Sequence, residues 1–203
     1  MKLVIGIDLG GLASYLALGS VITLLDETGV EAVWQPLVRE SAASEAASID
    51  GEDPLAAYKA RRQRARDQWA ARELARNCER LGIGIARGGR RFDATLLNLG
   101  LLLVRATGGD CQAYLQRAFR AAFVDGDDVE NLARVAELVA AAGFADFCED
   151  HGKRQLRDES AALNEQGLVV APGFVCDGEV FQGRQHLPMI RWIIQGRQGT
   201  PPV

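Results

Sequence analysis

The residues that first invite chemistry follow an apolar run: Asp8-Leu-Gly-Gly-Leu-Ala-Ser-Tyr-Leu-Ala17 comes directly after Lys2-Leu-Val-Ile-Gly-Ile7. A buried strand that breaks at two glycines and starts a helix leaves unpaired N–H groups and a partial positive charge at the helix start. That combination suits an anion or a thiolate. Gly11 has no side chain to contribute, so its position offers backbone N–H groups only. Ser14, one turn further on, is the candidate catalytic residue; the competing reading makes it a small polar residue of the first helical turn. Tyr15 reads as core.

Other groups carry weaker signals. Cys78, Cys111, Cys148 and Cys176 form no C-x-x-C pair and no metal-like spacing with His151 or His186, so no metal site is expected. Isolated cysteines of this kind behave as small buried hydrophobes. His186 is the better candidate base of the two histidines, and His151 falls in a charged, exposed turn. The basic run Lys59, Arg61, Arg62, Arg64, Arg66, Arg72 and Arg76 is interleaved with Asp67 and Glu73 and has no aromatic ladder. It reads as a solvated helix face, with an anion-holding role as the alternative.

The elements that must position these groups follow from periodicity. Lys2–Ile7 reads as a buried strand, residues 12–27 as a helix closed by Gly29, and Val30–Val38 as a second strand that Pro36 confines to an edge or an end. Two strands joined by one helix imply a parallel pair with a right-handed crossover. Residues 39–54, rich in Ala, Ser and acids, read as a loop leaving the sheet. Helical patterns then run over 55–81, 95–106, 111–124, 129–142, 144–150 and 155–166, with Asp127 or Asp128 as the cap of the fourth. Asp177-Gly178 between two short apolar runs is a hairpin signal, and a helix over 187–195 takes Pro188 in its first turn. This order is α/β: a thioredoxin-like fold, 1–38 and 157–203, interrupted by an all-helical insertion, 39–156.

The chain has 203 residues, is 48% hydrophobic and carries a net charge of −4, which describes a globular protein and argues against a general nucleic-acid binder. The apolar run Leu99–Val104 is too short for a membrane span, and residues 1–8 have no secretory pattern. The expectations are a cytoplasmic location, no membrane partner and a small-molecule substrate.

Three stretches resemble the 2-hydroxychromene-2-carboxylate isomerase and kappa-class glutathione transferase group of the DsbA-like thioredoxin superfamily. The family's D-F-x-S-P-Y/F-S-Y-L-A is similar to residues 8–17, and Phe92–Leu103, "FDATLLNLGLLL", is similar to the helix that follows the polar part of its insertion. Its G-V-x-G-V-P-T-F-x-x-D-G-E-x-F-W-G-x-D-R-L-P-M-L is matched by Gly167–Ile190, "GLVVAPGFVCDGEVFQGRQHLPMI". The resemblance implies that Pro172 is a cis-proline facing the start of the first helix, the alternative being a trans proline in an ordinary turn. It also implies that Ala171 offers its backbone N–H and C=O to bound glutathione, and that the protein is a homodimer.

The departures from the family bear on the same site. Its working serine falls on Gly11, and the proline after it on Leu12. The polar residue and aspartate expected to meet the γ-glutamyl group fall on Arg184 and Gln185, which supply no counter-charge to an ammonium. The insertion-helix lysine region falls on Ala71–Asn77, with Arg72 one position away. Two functions follow: a glutathione-related isomerase or transferase with an altered site, acting on a small aromatic or electrophilic substrate, or a non-catalytic thioredoxin-fold binding or dimerising module. Thiol-disulfide oxidoreduction is least favoured, because no cysteine stands at the helix start.

Overall fold

The computed structural model describes residues 1–38, 54–80, 82, 84, 92–149 and 151–202. The loop expected over 39–54 falls, but for Pro54, outside them. The chain divides into two compact units, Met1–Arg39 with Ile85–Val203, and Glu40–Gly84. The second contains helix α2 (Pro54–Arg80), whose Arg61, Arg62, Arg64, Arg72 and Arg76 are exposed; the side chains of Lys59 and Arg66 lie outside the described residues.

In the first unit the apolar runs become a four-stranded sheet in the order β2-β1-β3-β4. Strand β1 (Lys2–Ile7) leads into helix α1 (Leu12–Thr28), which ends where Gly29, at φ 62°, donates its N–H to Leu25 O at 2.8 Å. Strand β2 (Glu31–Pro36) returns parallel to β1 and forms an edge that ends on Pro36, the place a residue without an N–H can occupy. Strands β3 (Gly173–Cys176) and β4 (Glu179–Gln182) are antiparallel, joined at Asp177 (φ 52°) and Gly178 (φ 80°), the paired positive φ values of a tight hairpin turn. Central β1 is covered on both sides, so Leu3, Ile5 and Ile7 are buried.

Helices α3 (Thr95–Ala106), α4 (Cys111–Phe119), α5 (Leu132–Val139), α6 (Phe144–Glu149) and α7 (Gly152–Glu165) precede β3, and α8 (Leu187–Ile194) closes the chain. The unbroken helix expected over 111–124 instead changes to a wider π turn at Arg120–Asp125. The helix expected from residue 129 starts at Leu132, because Asn131 caps it by accepting from Ala133 N–H (2.9 Å) and Arg134 N–H (3.3 Å). Asp127, one of the two expected caps, is held by Arg134 at 2.9 Å from Nε. The larger apolar cluster joins β1, α1 and β3 to α3, α4 and α5, and a smaller one gathers Leu37, Leu163 and Leu168.

Candidate functional site at the start of α1

The turn from β1 to α1 is fastened by its own polar groups. Asp8 N–H donates to Ser14 Oγ at 3.1 Å, Gly10 N–H to Asp8 Oδ1 at 2.9 Å, and Gly11 N–H to Asp8 O at 3.0 Å. Gly11 O accepts from Ser14 N–H (3.0 Å) and Tyr15 N–H (3.3 Å), which begins the helix. The N–H groups of Leu12 and Ala13, the first two of α1, have no partner among the described residues. These are the free donors of a helix start.

Ser14 is fully buried, and its hydroxyl is the acceptor that closes this turn. Its place is structural support beneath the site. Gly11 is the N-cap, with φ −98°, a conformation open to any residue, and no side-chain cap. The Asp8 carboxylate fills the space beside it: a Cβ on Gly11 would lie 2.9 Å from Asp8 Oδ2 and 3.2 Å from Cγ. Asp8 was not among the sequence candidates. The signal that finds it is an Asp followed two residues later by Gly at a strand end, the composition of an Asx turn.

The register brings the other expected residues to this end of the sheet. Gly6 lies opposite Gly173, so Ala171 and Pro172, just before β3, stand beside Asp8, just after β1. The Ala171–Pro172 peptide bond is cis. Pro172 is buried and Ala171 half-buried, while Val169 and Val170 are 54% and 38% exposed, an apolar lip on the same loop. Pro172 O accepts from Gly183 N–H at 2.8 Å, which ties this loop to the segment carrying Arg184, Gln185 and His186. Gln185 folds back on its own loop, donating from Nε2 to Gln182 O at 2.8 Å. Half-buried Arg184 is engaged by other groups of the chain, and the His186 ring lies 5.8 Å from that of Phe181. His151 is exposed, edge-on to Phe147 at 5.1 Å.

An aromatic wall stands behind the first turn of α1. Tyr15 stacks on Phe119 and on Phe123, each at 5.5 Å, and Phe92 meets Phe123 at 5.5 Å. Phe119 and Phe123 are buried, and Tyr15 and Phe92 are half-buried at the margin of the core cluster against which they pack. Tyr15 rests on the core. Ala94, whose methyl carbon would lie 3.2 Å from a Cβ on Gly10, brings α3 to the same turn.

Thiol chemistry has little to work with in the protein itself. Cys78, Cys148 and Cys176 are buried and Cys111 is half-buried; burial is the largest influence on each and pushes all four thiols up, toward the protonated form. Among the described residues there is no cluster of His, Cys, Asp or Glu able to hold a metal ion, and no helix long and apolar enough to cross a membrane.

A sheet of this order, with a helix from β1 to β2, a cis-proline before β3 and helices inserted after β2, decides the architecture. The fold is a DsbA-like thioredoxin fold. Among solved structures, a 2-hydroxychromene-2-carboxylate isomerase superposes with a TM-score of 0.71 at 18% identity, over 97% of this chain and 95% of that one. A probable DsbA oxidoreductase from Streptomyces coelicolor also gives 0.71 at 18% identity, over 100% and 93%. The cytosolic disulfide reductase DsbM from Pseudomonas aeruginosa, solved with GSH, gives 0.65 at 16% identity, over 97% and 98%. No family model and no curated protein matches the chain. In this chain the N-cap of the helix that starts at the cis-proline end of the sheet is glycine.

Proposed function

We propose that this chain is a glutathione-related isomerase or transferase acting on a small aromatic electrophile at the start of α1. The observation that carries the reading is that α1 opens with the N–H groups of Leu12 and Ala13, unpartnered among the described residues, beside a carboxylate and across from the cis-proline loop, yet has no side chain at Gly11. The chain offers donors for a sulfur and supplies no sulfur of its own there. Glutathione supplies a thiol in such a reaction.

The protein groups divide the work. Leu12 and Ala13 N–H bind and orient the sulfur, and Asp8 Oδ2 holds the thiol proton while the sulfur is engaged and returns it afterwards. Ser14 positions Asp8 by accepting its N–H. Ala171 offers its main chain, and Arg184 and Gln185 border the far end. The isomerase among the structural neighbours and the GSH-bound reductase support this reading, which includes a cytoplasmic homodimer as the working form.

A second reading, a non-catalytic binding module, is favoured by the Asp8 carboxylate, which already occupies the space that a serine side chain would need. Thiol-disulfide exchange, the activity named for two neighbours, has less support, since burial holds the four thiols protonated.

Calorimetric titration with glutathione separates the readings. Binding in the millimolar range or tighter is expected, lost in Gly11→Trp; silence at millimolar glutathione overturns the proposal. If glutathione binds, Asp8→Asn tells enzyme from module: turnover of an aromatic electrophile should fall by about 10²–10⁴ with binding retained.

A further inference from the structure

The outer edge of β2 is closed over one half and open over the other. In the parallel ladder with β1, Ile5 lies opposite Trp34 and Leu37 N–H donates to Ile7 O, so the odd-numbered residues of β2 face β1 and the even-numbered ones face outward. Outward-facing groups of an edge strand usually need cover. Trp34 O receives Arg105 Nη1 at 3.0 Å, Pro36 has no N–H, and Val38 N–H and C=O are both met by Ser160 Oγ, at 3.0 and 3.2 Å. Ala32 N–H and C=O, which face the same way, have no partner beyond the strand among the described residues.

A cavity of about 440 Å³ lies where the cover stops, bordered by Leu25, Val30, Ala32 and Trp34 on one side and by Arg105, Asp110 and Cys111 on the other. That volume lies within the usual ~300–1,000 Å³ of a ligand site. Its lining is mixed, and the part made by Leu25, Val30, Ala32 and Trp34 suits alternate side chains of an added strand. The charge around it is acidic in balance among the described residues: Arg105 is answered by Glu159 at 2.5 Å and Lys2 by Glu31 at 2.8 Å, and Asp110 has there only a backbone partner, Ala113 N–H at 3.0 Å.

We propose that this open half of β2 is a docking site for a short extended basic peptide segment, which pairs its main chain with Ala32 N–H and C=O and sets a cationic side chain toward Asp110. The site belongs to the end of β2 away from the cis-proline loop and is independent of the glutathione reading. Strand addition gives affinity through the main chain and selectivity through alternate side chains.

The test uses the isotope-labelled full chain and acetyl-Val-Lys-Val-amide as probe. Saturable shifts of the Ala32 and Trp34 amides are expected, with slower exchange at Ala32 N–H and slower alkylation of Cys111. The same probe N-methylated at its lysine nitrogen should bind about tenfold more weakly or not at all, as loss of one main-chain hydrogen bond requires. Ala32→Pro should fold, because this N–H serves no ladder bond to β1, and should lose the probe. Equal binding of the N-methylated probe overturns the proposal. So do shifts centred elsewhere, no shift at saturating probe, or Ala32 shifts that follow protein concentration alone, which would assign the edge to a second copy.

Discussion

Gly11→Ser tests the site where structure and chemistry meet. The backbone at residue 11 has φ −98°, so serine meets no conformational barrier, but its Cβ would stand 2.9 Å from Asp8 Oδ2. The obstructing atom is the end of a flexible side chain, which can swing away by giving up, among its interactions, the bond from Gly10 N–H (2.9 Å). That bond is exposed and worth about 0.5–1.5 kcal/mol; serine in place of glycine at an N-cap returns a few tenths. The net loss is about 1 kcal/mol, a fall of about 2–4 °C in Tm for a chain of this length. Meanwhile a hydroxyl donor appears beside the Leu12 and Ala13 N–H groups and a carboxylate leaves. A charge-assisted hydrogen bond to a thiolate contributes about 1.5 kcal/mol or more, so glutathione should bind about tenfold tighter at neutral pH. Thermal unfolding and calorimetric titration read the two effects separately. A Tm loss beyond about 10 °C would refute the steric argument, and unchanged or weaker binding would refute the placement of the sulfur.

Three further outcomes follow from buried groups. Ser14→Ala leaves Asp8 N–H without its acceptor and should cost about 1–3 kcal/mol in chemical unfolding; a full-stability variant with reduced turnover would instead make Ser14 catalytic. Tyr114, buried and donating to Leu97 O at 2.7 Å, has its phenol pushed up mainly by desolvation. Its contribution to stability is fully present below the unfolded pKa of about 10 and declines by about 1.4 kcal/mol per pH unit above it, so Tyr114→Phe should flatten alkaline denaturation curves. Gly100→Ala would place a Cβ against the Tyr114 hydroxyl and 2.7 Å from Val139 Cγ2; overpacking of about 1–3 kcal/mol should exceed the helix-propensity gain of about 1 kcal/mol and lower Tm.

How much of this was legible in the sequence depends on how local each cause is. Strand β1 and helix α3 keep the predicted bounds, and α1 ends at Gly29, because apolar periodicity and a left-handed cap are written in consecutive residues. The start of α5 was not, since Asp127, Asp128 and Asn131 can all cap a helix, and here the Arg134 guanidinium engages Asp127 while the Arg134 backbone N–H donates to Asn131. The π turn after Phe119 has no signature in its residue types. At the site, the missing side chain of Gly11 was plain to read. The position of the Asp8 carboxylate was not, because it depends on the void that Gly11 leaves. The packing of Tyr15 on Phe119 and Phe123, more than a hundred residues away, could not be read from any spacing within α1.

The Ser14–Asp8 bond has a consequence for how such a protein changes over time. The turn is held by residues 8 and 14, and residue 11 takes no part in it through a side chain. Position 11 can therefore pass between cysteine, serine and glycine without unfolding the chain, so chemistry at this helix start can be lost or regained by single substitutions. Gly11→Cys is accordingly the shortest laboratory route to a redox-active variant, on a scaffold whose strand-to-helix turn is already fastened from beneath.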